Sequence, residues 1–442
     1  MSNIPEHHLN STKTLFGNPW DTQTREEECN DISPNTSNPS WLQNLNILPS
    51  LLADLPVERA KDFSNHKIIS KIVVKPDFSG YLKGGYNLKA TWLGHASFLV
   101  QLPCLPETPQ PIRILFDPMF SDVAGPSAWT GVKRYLPPPC SILELPDYQY
   151  VLISHNHYDH LDLPTIREIA RVREYNVKFL VPLGLKKWFV GSGVPPKCVY
   201  EMDWWDEMDL QVVSKTPQSP IVQTMKFICV PAQHTSGRFV TDNSSTLWCG
   251  WIVRRQGSKN TQIYYAGDTG YLGDSGPCPV FKEIGERYGP FDLSLLPIWR
   301  GGTLSLVSRM GFRLTHHPYF LKYHASPADA VAMHKDVRSR HSLAMHFGTF
   351  VGSDTEAREA LIELAQAREE LQVGDWYEEG GFGAIDIGET IEIEPDSKVA
   401  STEKSSPGSV FYLGCLARSE SKQPLTANFI MPMIRKNMPD ID

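Results

Sequence analysis

Short β-branched and aromatic stretches alternate with amphipathic ones from about residue 67 onward. Ten apolar stretches have the length and composition of strands: KATWLGHASFLVQL, IRILFDPMF, YQYVLIS, VKFLVP, MKFICVP, TLWCGWIVRR, QIYYAGD, FDLSLLPI, HSLAMHF and AIDIGETIEI. Four have helical periodicity, and several of these open with proline or a capping residue: LPTIREIARVREY, PVFKEIGERYG, PADAVAMHKDVRS and TEAREALIELAQAREEL. Because strands alternate with helices in both halves, the pattern predicts an α/β domain whose sheets lie between helix layers.

The two ends of the chain lack this pattern. Residues 1–66 are rich in Asn, Ser, Pro and Glu, and their one apolar stretch, WLQNLNILPSLL, is more typical of a segment packed on its own domain than of one lying in a lipid interface. Residues 396–442 show no period either. We therefore predict a largely irregular extension over 1–66, one folded domain over 67–395 and a flexible tail over 396–442.

Composition narrows the class of protein. The 442 residues include 42 Lys+Arg and 50 Asp+Glu, and the net charge of −8 argues against a nucleic-acid partner, which needs a concentrated basic face. The 8 cysteines form no C-x-x-C pair, which predicts reduced thiols in an intracellular protein. We expect no signal peptide, and no apolar stretch approaches the ~18 residues of a membrane span. Any membrane contact is therefore expected to be peripheral.

The strongest chemical signal is S-H-N-H-Y-D-H-L-D at residues 154–162, directly after the apolar stretch YVLI. The alternate residues His155 and His157 can project together from an extended loop, and Asp159 and His160 follow on the turn. Two neighbouring ligand sets of this kind suit a pair of divalent metal ions. A solvated polar loop is the other interpretation, but four such residues in a hexapeptide disfavour it.

Three further ligands are expected downstream if the site binds two ions. His234, Asp268 and His346 each follow a predicted strand, and Asp268 has two carboxylate oxygens with which to bridge both ions. Taken singly, each residue fits a loop cap, a turn former or a structural histidine equally well. Together, and in this order, they favour a binuclear metal site.

Several motifs together resemble the N-acylphosphatidylethanolamine-hydrolysing phospholipase D family of the metallo-β-lactamase superfamily. They are TWLGHAS, FDPMFS, VLISHNHYDHLD, AGDTGY, YGPFDLSLLPI, DAVAMHKDV and AMHFGTF. The resemblance covers roughly residues 67–370, and GNPW at 17–20 is similar to the family's N-terminal region. It implies the metallo-β-lactamase fold, a four-layer αβ/βα sandwich with two mixed β-sheets between helix layers.

The resemblance also implies a reaction. The family hydrolyses N-acylphosphatidylethanolamines to N-acylethanolamines and phosphatidic acid with two Zn²⁺ per subunit, and a hydroxide shared by both ions attacks phosphorus. The implied ligands are His155, His157 and His234 for the first ion, Asp159, His160 and His346 for the second, and Asp268 as the bridge. Asp268 would also orient the nucleophile, which makes it a catalytic residue.

Other residues are candidates for substrate contacts. His324 in KYHASP resembles the family histidine that reaches the scissile phosphate, with helix capping as the alternative. We expect Tyr158 at the pocket mouth. Arg238 suits contact with the lipid phosphate, and an exposed surface charge is an equal alternative. His95 either contacts the metal pocket or is a structural turn residue.

The resemblance implies a membrane phospholipid as substrate, contact with a membrane surface and a homodimer. It leaves a cytoplasmic or mitochondrial location open. The stretches 104–111 and 298–320 are longer than the family pattern, and the second forms an apolar lip with Arg300, Arg309 and Arg313. The lip either meets anionic headgroups or packs as a lid on the domain.

A second function stays open at this point. The fold hosts many chemistries, so a hydrolase of a soluble phosphodiester or lactone is the alternative. Histidine and carboxylate ligands also suit iron as well as zinc. The motifs outside the ligand set favour the lipid substrate.

Overall fold

The computed structural model describes residues 5–20, 57–59, 71–82, 85–104, 111–173, 176–215, 220–239, 241–255, 261–273, 275–299, 312–314 and 321–394. Within them the strands are β1 (Val57–Arg59), β2 (Leu88–Gly94), β3 (Ser97–Gln101), β4 (Arg113–Phe116), β5 (Val123–Ser127), β6 (Thr130–Lys133), β7 (Tyr150–Leu152), β8 (Lys178–Pro182), β9 (Val199–Met202), β10 (Glu207–Lys215), β11 (Pro220–Val230), β12 (Gly250–Arg255), β13 (Thr261–Tyr265), β14 (Leu272–Gly273), β15 (Gly276–Pro277), β16 (Leu293–Pro297), β17 (Phe312–Leu314), β18 (His341–Met345), β19 (Gly381–Gly383) and β20 (Thr390–Ile393).

The helices of the same residues are α1 (Ser79–Leu82), α2 (Leu163–Val172), α3 (Lys186–Gly191), α4 (Val280–Arg287), α5 (Pro327–Asp336) and α6 (Asp354–Leu371). Short 3₁₀ turns cover Ile142–Glu144 and Pro196–Cys198. In the described part of the chain, none of the helices combines the length and apolar character needed to span a bilayer.

Two mixed sheets of 7 strands each form the centre of the domain. The first has the order β20-β2-β3-β4-β7-β8-β9 and the second β10-β11-β12-β13-β16-β18-β19. In each sheet, in the order given, the first three pairs of neighbouring strands are antiparallel and the last three pairs are parallel. The two sheets therefore have the same internal arrangement.

Alternating side chains bury both faces of the first sheet. Trp92 and Phe98 lie in the core between the sheets, whereas Leu93 and Leu99 belong to a separate apolar cluster that includes residues of α2 and α3. Successive residues of a strand point to opposite faces, so one strand supplies both clusters. This explains why these strands are apolar throughout rather than alternating with polar residues.

The second sheet packs on the first through aromatic rings and carries helices on its other face. Phe116 stacks on Tyr265 with ring centroids 4.7 Å apart, and Tyr150 meets Phe227 at 4.6 Å. On the far side, α5 packs on β16, and α4 and α6 pack on α5. The order of layers is helices, sheet, sheet, helices, which confirms the predicted four-layer α/β sandwich.

The structure contains all four predicted helices and departs from the sequence pattern mainly at sheet edges. Only Thr390–Ile393 of the stretch AIDIGETIEI forms a strand. The sequence pattern did not predict β9 and β10, which lie at the edges of the two sheets. An edge strand needs fewer apolar residues than a central one, so stretches such as EMDLQVVSK give a weak strand signal.

The segment 5–20 contains neither a helix nor a strand, yet it packs on the domain. Phe16 is fully buried and belongs to the largest apolar cluster of the described residues. The Asn18 Nδ2 donates a hydrogen bond to the backbone carbonyl of His234 at 2.9 Å. The limits predicted at residues 66 and 395, the apolar stretch WLQNLNILPSLL and the tail over 396–442 lie outside the described residues and stay predictions.

Helices α4 and α5 approach each other closely at Gly285, and this contact should determine the effect of a substitution there. A Cβ added at Gly285 in α4 would lie 2.0 Å from the backbone oxygen of Asp336 in α5. Gly→Ala in an open helix stabilises by about 1 kcal/mol, but here the helices must move apart. We expect Gly285→Ala to lower the free energy of unfolding by ~1–3 kcal/mol in urea titrations.

The exposed neighbour Glu286 in the same helix is the control for that substitution. Glu286→Ala should change the free energy of unfolding by less than about 0.5 kcal/mol. A Gly285→Ala protein as stable as the wild type would contradict the close packing of α4 on α5.

Candidate metal centre

The predicted ligands follow the carboxyl ends of strands that point to one edge of the sandwich. In the second sheet β11, β13 and β18 run in the same direction, because β11 and β13 are each antiparallel to β12 and the later pairings are parallel. His234, Asp268 and His346 come after these three strands. In the first sheet, β7 leads into the loop 153–162. Carboxyl ends of parallel strands are where open α/β sheets bind ligands.

One set of imidazoles forms at this edge. The Nε2 of His155 lies 2.8 Å from the Nδ1 of His157, and the Nε2 of His234 lies 3.2 Å from the same Nδ1. The ligand atoms of the three side chains all lie within 4.8 Å of one another. The structure thus brings together the three residues predicted for the first ion.

A second set lies beside the first. The Nε2 atoms of His160 and His346 are 3.2 Å apart, and the Oδ2 of Asp159 lies 3.9 Å and 3.8 Å from them. His95 joins this set, since its Nε2 lies 2.9 Å from the Oδ2 of Asp159. Of the two alternatives for His95, the structure supports contact with the metal pocket.

Asp268 lies between the two sets. Its Oδ2 is 3.4 Å from the Nε2 of His234 and 3.2 Å from the Nε2 of His346. Its Oδ1 is 3.1 Å from the Nδ1 of His324. One carboxylate oxygen therefore reaches both ligand sets, which is the position that a bridging ligand needs.

The hydrogen bonds on the outer side of the rings show that a cation fits here. The Nδ1 atoms of His234 and His346 lie 2.8 Å and 3.1 Å from the backbone carbonyls of Tyr323 and Trp299. A carbonyl only accepts, so both Nδ1 atoms donate, and a ring that donates through Nδ1 in its metal-binding form turns an Nε2 lone pair toward the Asp268 carboxylate. Lone pairs facing a carboxylate repel it, and a metal ion between them removes that repulsion.

Comparison with known proteins assigns the chain to a family. A model described as the Beta-lactamase superfamily domain matches residues 112–347. The N-acyl-phosphatidylethanolamine-hydrolyzing phospholipase D 1 of Caenorhabditis elegans is 36% identical over 316 residues, which cover 69% of this chain and 76% of that protein. The chain belongs to the N-acylphosphatidylethanolamine-hydrolysing phospholipase D family of the metallo-β-lactamase superfamily. It is a metal-dependent hydrolase, and the predicted family and fold are confirmed.

Other relatives of this phospholipase D family member match over a smaller share of their length. The yeast protein named N-acyl-phosphatidylethanolamine-hydrolyzing phospholipase D, mitochondrial, is 32% identical over 62% of this chain and 51% of its own. An uncharacterised protein of Mycobacterium tuberculosis is 36% identical over 60% of this chain and 59% of its own. A solved metallohydrolase of Ignicoccus hospitalis matches 70% of this chain and 100% of its own, with a TM-score of 0.41 and 18% identity.

Burial keeps the first set of imidazoles in the neutral, metal-binding form. It holds the pKa of His155 and of His234 well below the usual range and lowers the pKa of His157 to about 4. Burial also disfavours a charge on His160, but the neighbouring carboxylates, Asp159 foremost, outweigh it and raise the pKa of His160 to about 9. Imidazole nitrogens and carboxylate oxygens are the donors of zinc sites in hydrolases of this kind.

Asp117 supports the second set, a role that the sequence pattern did not predict. Its Oδ2 accepts from the Nδ1 of His160 at 2.6 Å, from the Tyr265 hydroxyl at 2.6 Å and from the Ser154 hydroxyl at 2.5 Å. Its Oδ1 accepts from the backbone N–H of Ser154 at 2.7 Å. The available signal was an acidic residue directly after the apolar strand β4, which lies beside β7 and parallel to it.

His324 lies on the open side of the centre. Its side chain is 19% exposed, against 2% for its partner Asp268. The helix-capping alternative is wrong, because the cap of α5 is Ser326, whose side chain accepts from the backbone N–H of Asp329. His324 is therefore available to contact a substrate that enters from this side.

Arg238 stabilises the loop that carries the predicted metal ligands. Its Nε donates to the carbonyl of Asn156 at 2.7 Å, and its Nη2 donates to the carbonyl of Leu161. The guanidinium also lies over the rings of Tyr158, at 4.4 Å, and Trp188, at 5.0 Å. It is thus not a plain surface charge, whereas contact of Arg238 or Tyr158 with lipid stays a prediction.

The longer stretches that the sequence pattern marked near the entrance fall mostly outside the described residues. This applies to 105–110, to 300–311 and to 315–320, and so to the predicted lip. Of the lip, the structure describes Trp299, which is buried in the apolar core, and the backbone of 312–314, which pairs with Val57–Arg59.

The network around Asp117 predicts a loss of metal affinity in an isosteric variant. Asp117→Asn places an amide group where one carboxylate oxygen now accepts several hydrogen bonds, so His160 loses its orientation. We expect metal binding to weaken about 10–100-fold in competition titrations with a chromogenic chelator. Asp122→Asn, at an exposed position of the same segment, should leave the affinity unchanged. Equal affinities of both variants would contradict this role of Asp117.

Proposed function

We propose that this chain hydrolyses N-acylphosphatidylethanolamines to N-acylethanolamines and phosphatidic acid at two Zn²⁺ ions. The observation that carries the proposal is the position of Asp268, whose Oδ2 reaches both ligand sets while its Oδ1 is 3.1 Å from His324 on the open side. The C. elegans and yeast relatives, both named for this reaction, support the choice of substrate.

Seven side chains would hold the two ions. They are His155, His157 and His234 for the first ion, Asp159, His160 and His346 for the second, and Asp268 for both. Zinc ions bound there would supply a Lewis acid for the phosphoryl oxygens and would lower the pKa of a bound water to about 7. The protein contributes the fixed donor geometry, because the outer nitrogens of four of the rings, those of His155, His160, His234 and His346, are already hydrogen-bonded.

His324 is the residue best placed to assist the leaving group. An ionised carboxylate only accepts hydrogen bonds, so the Nδ1 of His324 donates to the Oδ1 of Asp268. This bond orients the ring and leaves Nε2 for the substrate. With both nitrogens protonated, the ring donates a hydrogen bond or a proton to the departing ethanolamine-side oxygen.

The exposure of the site residues indicates the direction of substrate approach. The side chains of His160 and His346 are fully buried, whereas those of Asp159 and His324 are 26% and 19% exposed. A bulky phospholipid would place its phosphate at this opening and keep its chains outside the sandwich. We therefore include peripheral contact with a membrane surface in the proposal, together with a homodimer and an intracellular location, cytoplasmic or mitochondrial.

The substrate assignment is tested with vesicles that contain N-acylphosphatidylethanolamine. We expect the zinc-loaded wild type to release phosphatidic acid and Asp268→Asn to be slower by at least about 10³-fold, because the variant disturbs both ion positions. Asp209→Asn, an exposed carboxylate on the edge strand β10, is the control and should retain full rates. Phosphatidic acid is measured by mass spectrometry.

Two results would contradict the proposal. Equal rates for wild type and Asp268→Asn would exclude this mechanism. No product from a metal-loaded wild type would exclude the lipid substrate, and cleavage of a soluble phosphodiester or a lactone by the same preparation would then favour the alternative hydrolase.

A second variant separates chemistry from metal binding. His324→Gln should lower kcat about 10²–10⁴-fold, because glutamine keeps a hydrogen bond to Asp268 but cannot transfer a proton. Zinc content, measured by inductively coupled plasma mass spectrometry, should not change. An unchanged kcat would remove His324 from the mechanism, and lost zinc would show that it acts on the metal centre instead.

A further inference from the structure

A second cluster of metal-binding side chains lies outside the centre described above. The Nε2 of His7 is 2.7 Å from the Oδ1 of Asp203, and the Nε2 of His8 is 2.8 Å from the Oδ2 of the same carboxylate. The ligand atoms of all three side chains lie within 4.8 Å of one another. The two histidines belong to the N-terminal segment 5–20, and Asp203 follows β9 of the first sheet.

The His8 ring is buried without the hydrogen bonds that burial requires. His7 and His8 are each only 6% exposed. Neither Nδ1 nor Nε2 of His8 makes a hydrogen bond of acceptable geometry, although Nε2 lies close to the carboxylate. Leaving such a buried group unsatisfied costs about 1–3 kcal/mol. An ion placed among the two rings and the carboxylate would satisfy the His8 Nε2.

The spacing in this cluster is similar to that in the candidate metal centre. In the candidate metal centre, the Nδ1 of His157 lies 2.8 Å from the Nε2 of His155 and 3.2 Å from the Nε2 of His234. In the second cluster, the carboxylate oxygens of Asp203 lie 2.7 Å and 2.8 Å from the Nε2 atoms of His7 and His8. A tetrahedral ion with bonds of ~2.1 Å spaces its ligands about 3.4 Å apart. In both clusters the side chains therefore need to spread by roughly half an ångström to hold one.

We propose that His7, His8 and Asp203 bind a divalent ion of the zinc type that fastens the N-terminal segment to the domain. Two imidazoles and one carboxylate are a zinc donor set, and water completes the tetrahedron. This ion is separate from those of the candidate metal centre, and the proposal does not depend on the substrate.

An ion that holds the N-terminal segment in place would also affect the candidate metal centre. Beyond the two histidines, the segment buries Phe16 in the core, and Trp20 stacks on Trp204 with ring centroids 5.7 Å apart. Between these two anchors, Asn18 donates to the backbone carbonyl of His234, a predicted ligand of the first ion. The ion thus acts as a positioning element for the backbone of that ligand.

Lys13 offers a metal-free alternative. Its Nζ lies 3.5 Å from the Oδ2 of Asp203, and its side chain is 54% exposed. In that alternative, hydrogen bonds and the Lys13 charge alone hold the segment. The zinc content distinguishes the two, because the metal-free alternative predicts no ion at Asp203 in any variant, whereas the proposal predicts one in the wild type and in Lys13→Gln and none in His8→Gln.

The test counts zinc ions on the full chain. Chelator-treated protein is loaded with Zn²⁺, desalted and measured by inductively coupled plasma mass spectrometry. We expect His8→Gln and Asp203→Asn each to hold one ion fewer per chain than the wild type, and Lys13→Gln to hold the wild-type number. His157→Gln, which alters the other centre, should keep the ion at Asp203. Circular dichroism checks that each variant is folded.

Protection of the segment gives a second readout. Zinc at ten times its dissociation constant should slow tryptic cleavage after Lys13 by about tenfold in the wild type and have no effect in His8→Gln. Equal zinc contents of wild type, His8→Gln and Asp203→Asn would overturn the proposal. So would zinc that fails to protect the wild-type segment.

Discussion

The carboxylate of Asp117 is the interaction on which the site most depends. It is fully buried, and a buried charge persists only where hydrogen bonds replace the lost water. Tyr265 of the second sheet and Ser154 and His160 of the first-sheet loop all donate to it. The Asp117 side chain therefore connects the two sheets and the loop 153–162. If one sheet shifted relative to the other, the buried carboxylate would lose a hydrogen-bond partner.

The geometry of the sheets makes this convergence possible. Because β4 and β7 are parallel neighbours, Asp117 and Ser154 leave their strands at the same edge. In the second sheet β11, β13 and β18 share one direction and deliver their ligands to that edge as well. The apolar sandwich provides rigidity. At the strand ends, the backbone no longer makes the hydrogen bonds of the sheet, so these residues can turn toward the site. A centre whose seven candidate donors come from both sheets benefits from both properties.

Contacts from outside the two sheets complete the support. Arg238 binds backbone carbonyls on either side of the ligand-rich turn, and Asn18 binds the carbonyl of His234. Loops and the N-terminal segment therefore stabilise the site in addition to the strands. The same segment carries His7 and His8, so the region that looked least structured in the amino-acid pattern contributes directly to the order of the centre.

The central strands and the helices of the domain could be predicted from the sequence. Central strands carry a strong signal because both of their faces are buried, and helices do so because one broad stripe is buried. The candidate metal-binding residues could be recognised because metal chemistry demands rare residue types at strand ends. Edge strands such as β10 gave a weak signal, since solvent accepts polar side chains there. Three features were decided only by the tertiary structure: the support from Asp117, the bracing by Arg238, and the meeting of His7 and His8 with Asp203. Each depends on residues far apart in the chain, and a local pattern records what a residue is but not which distant atoms folding places beside it.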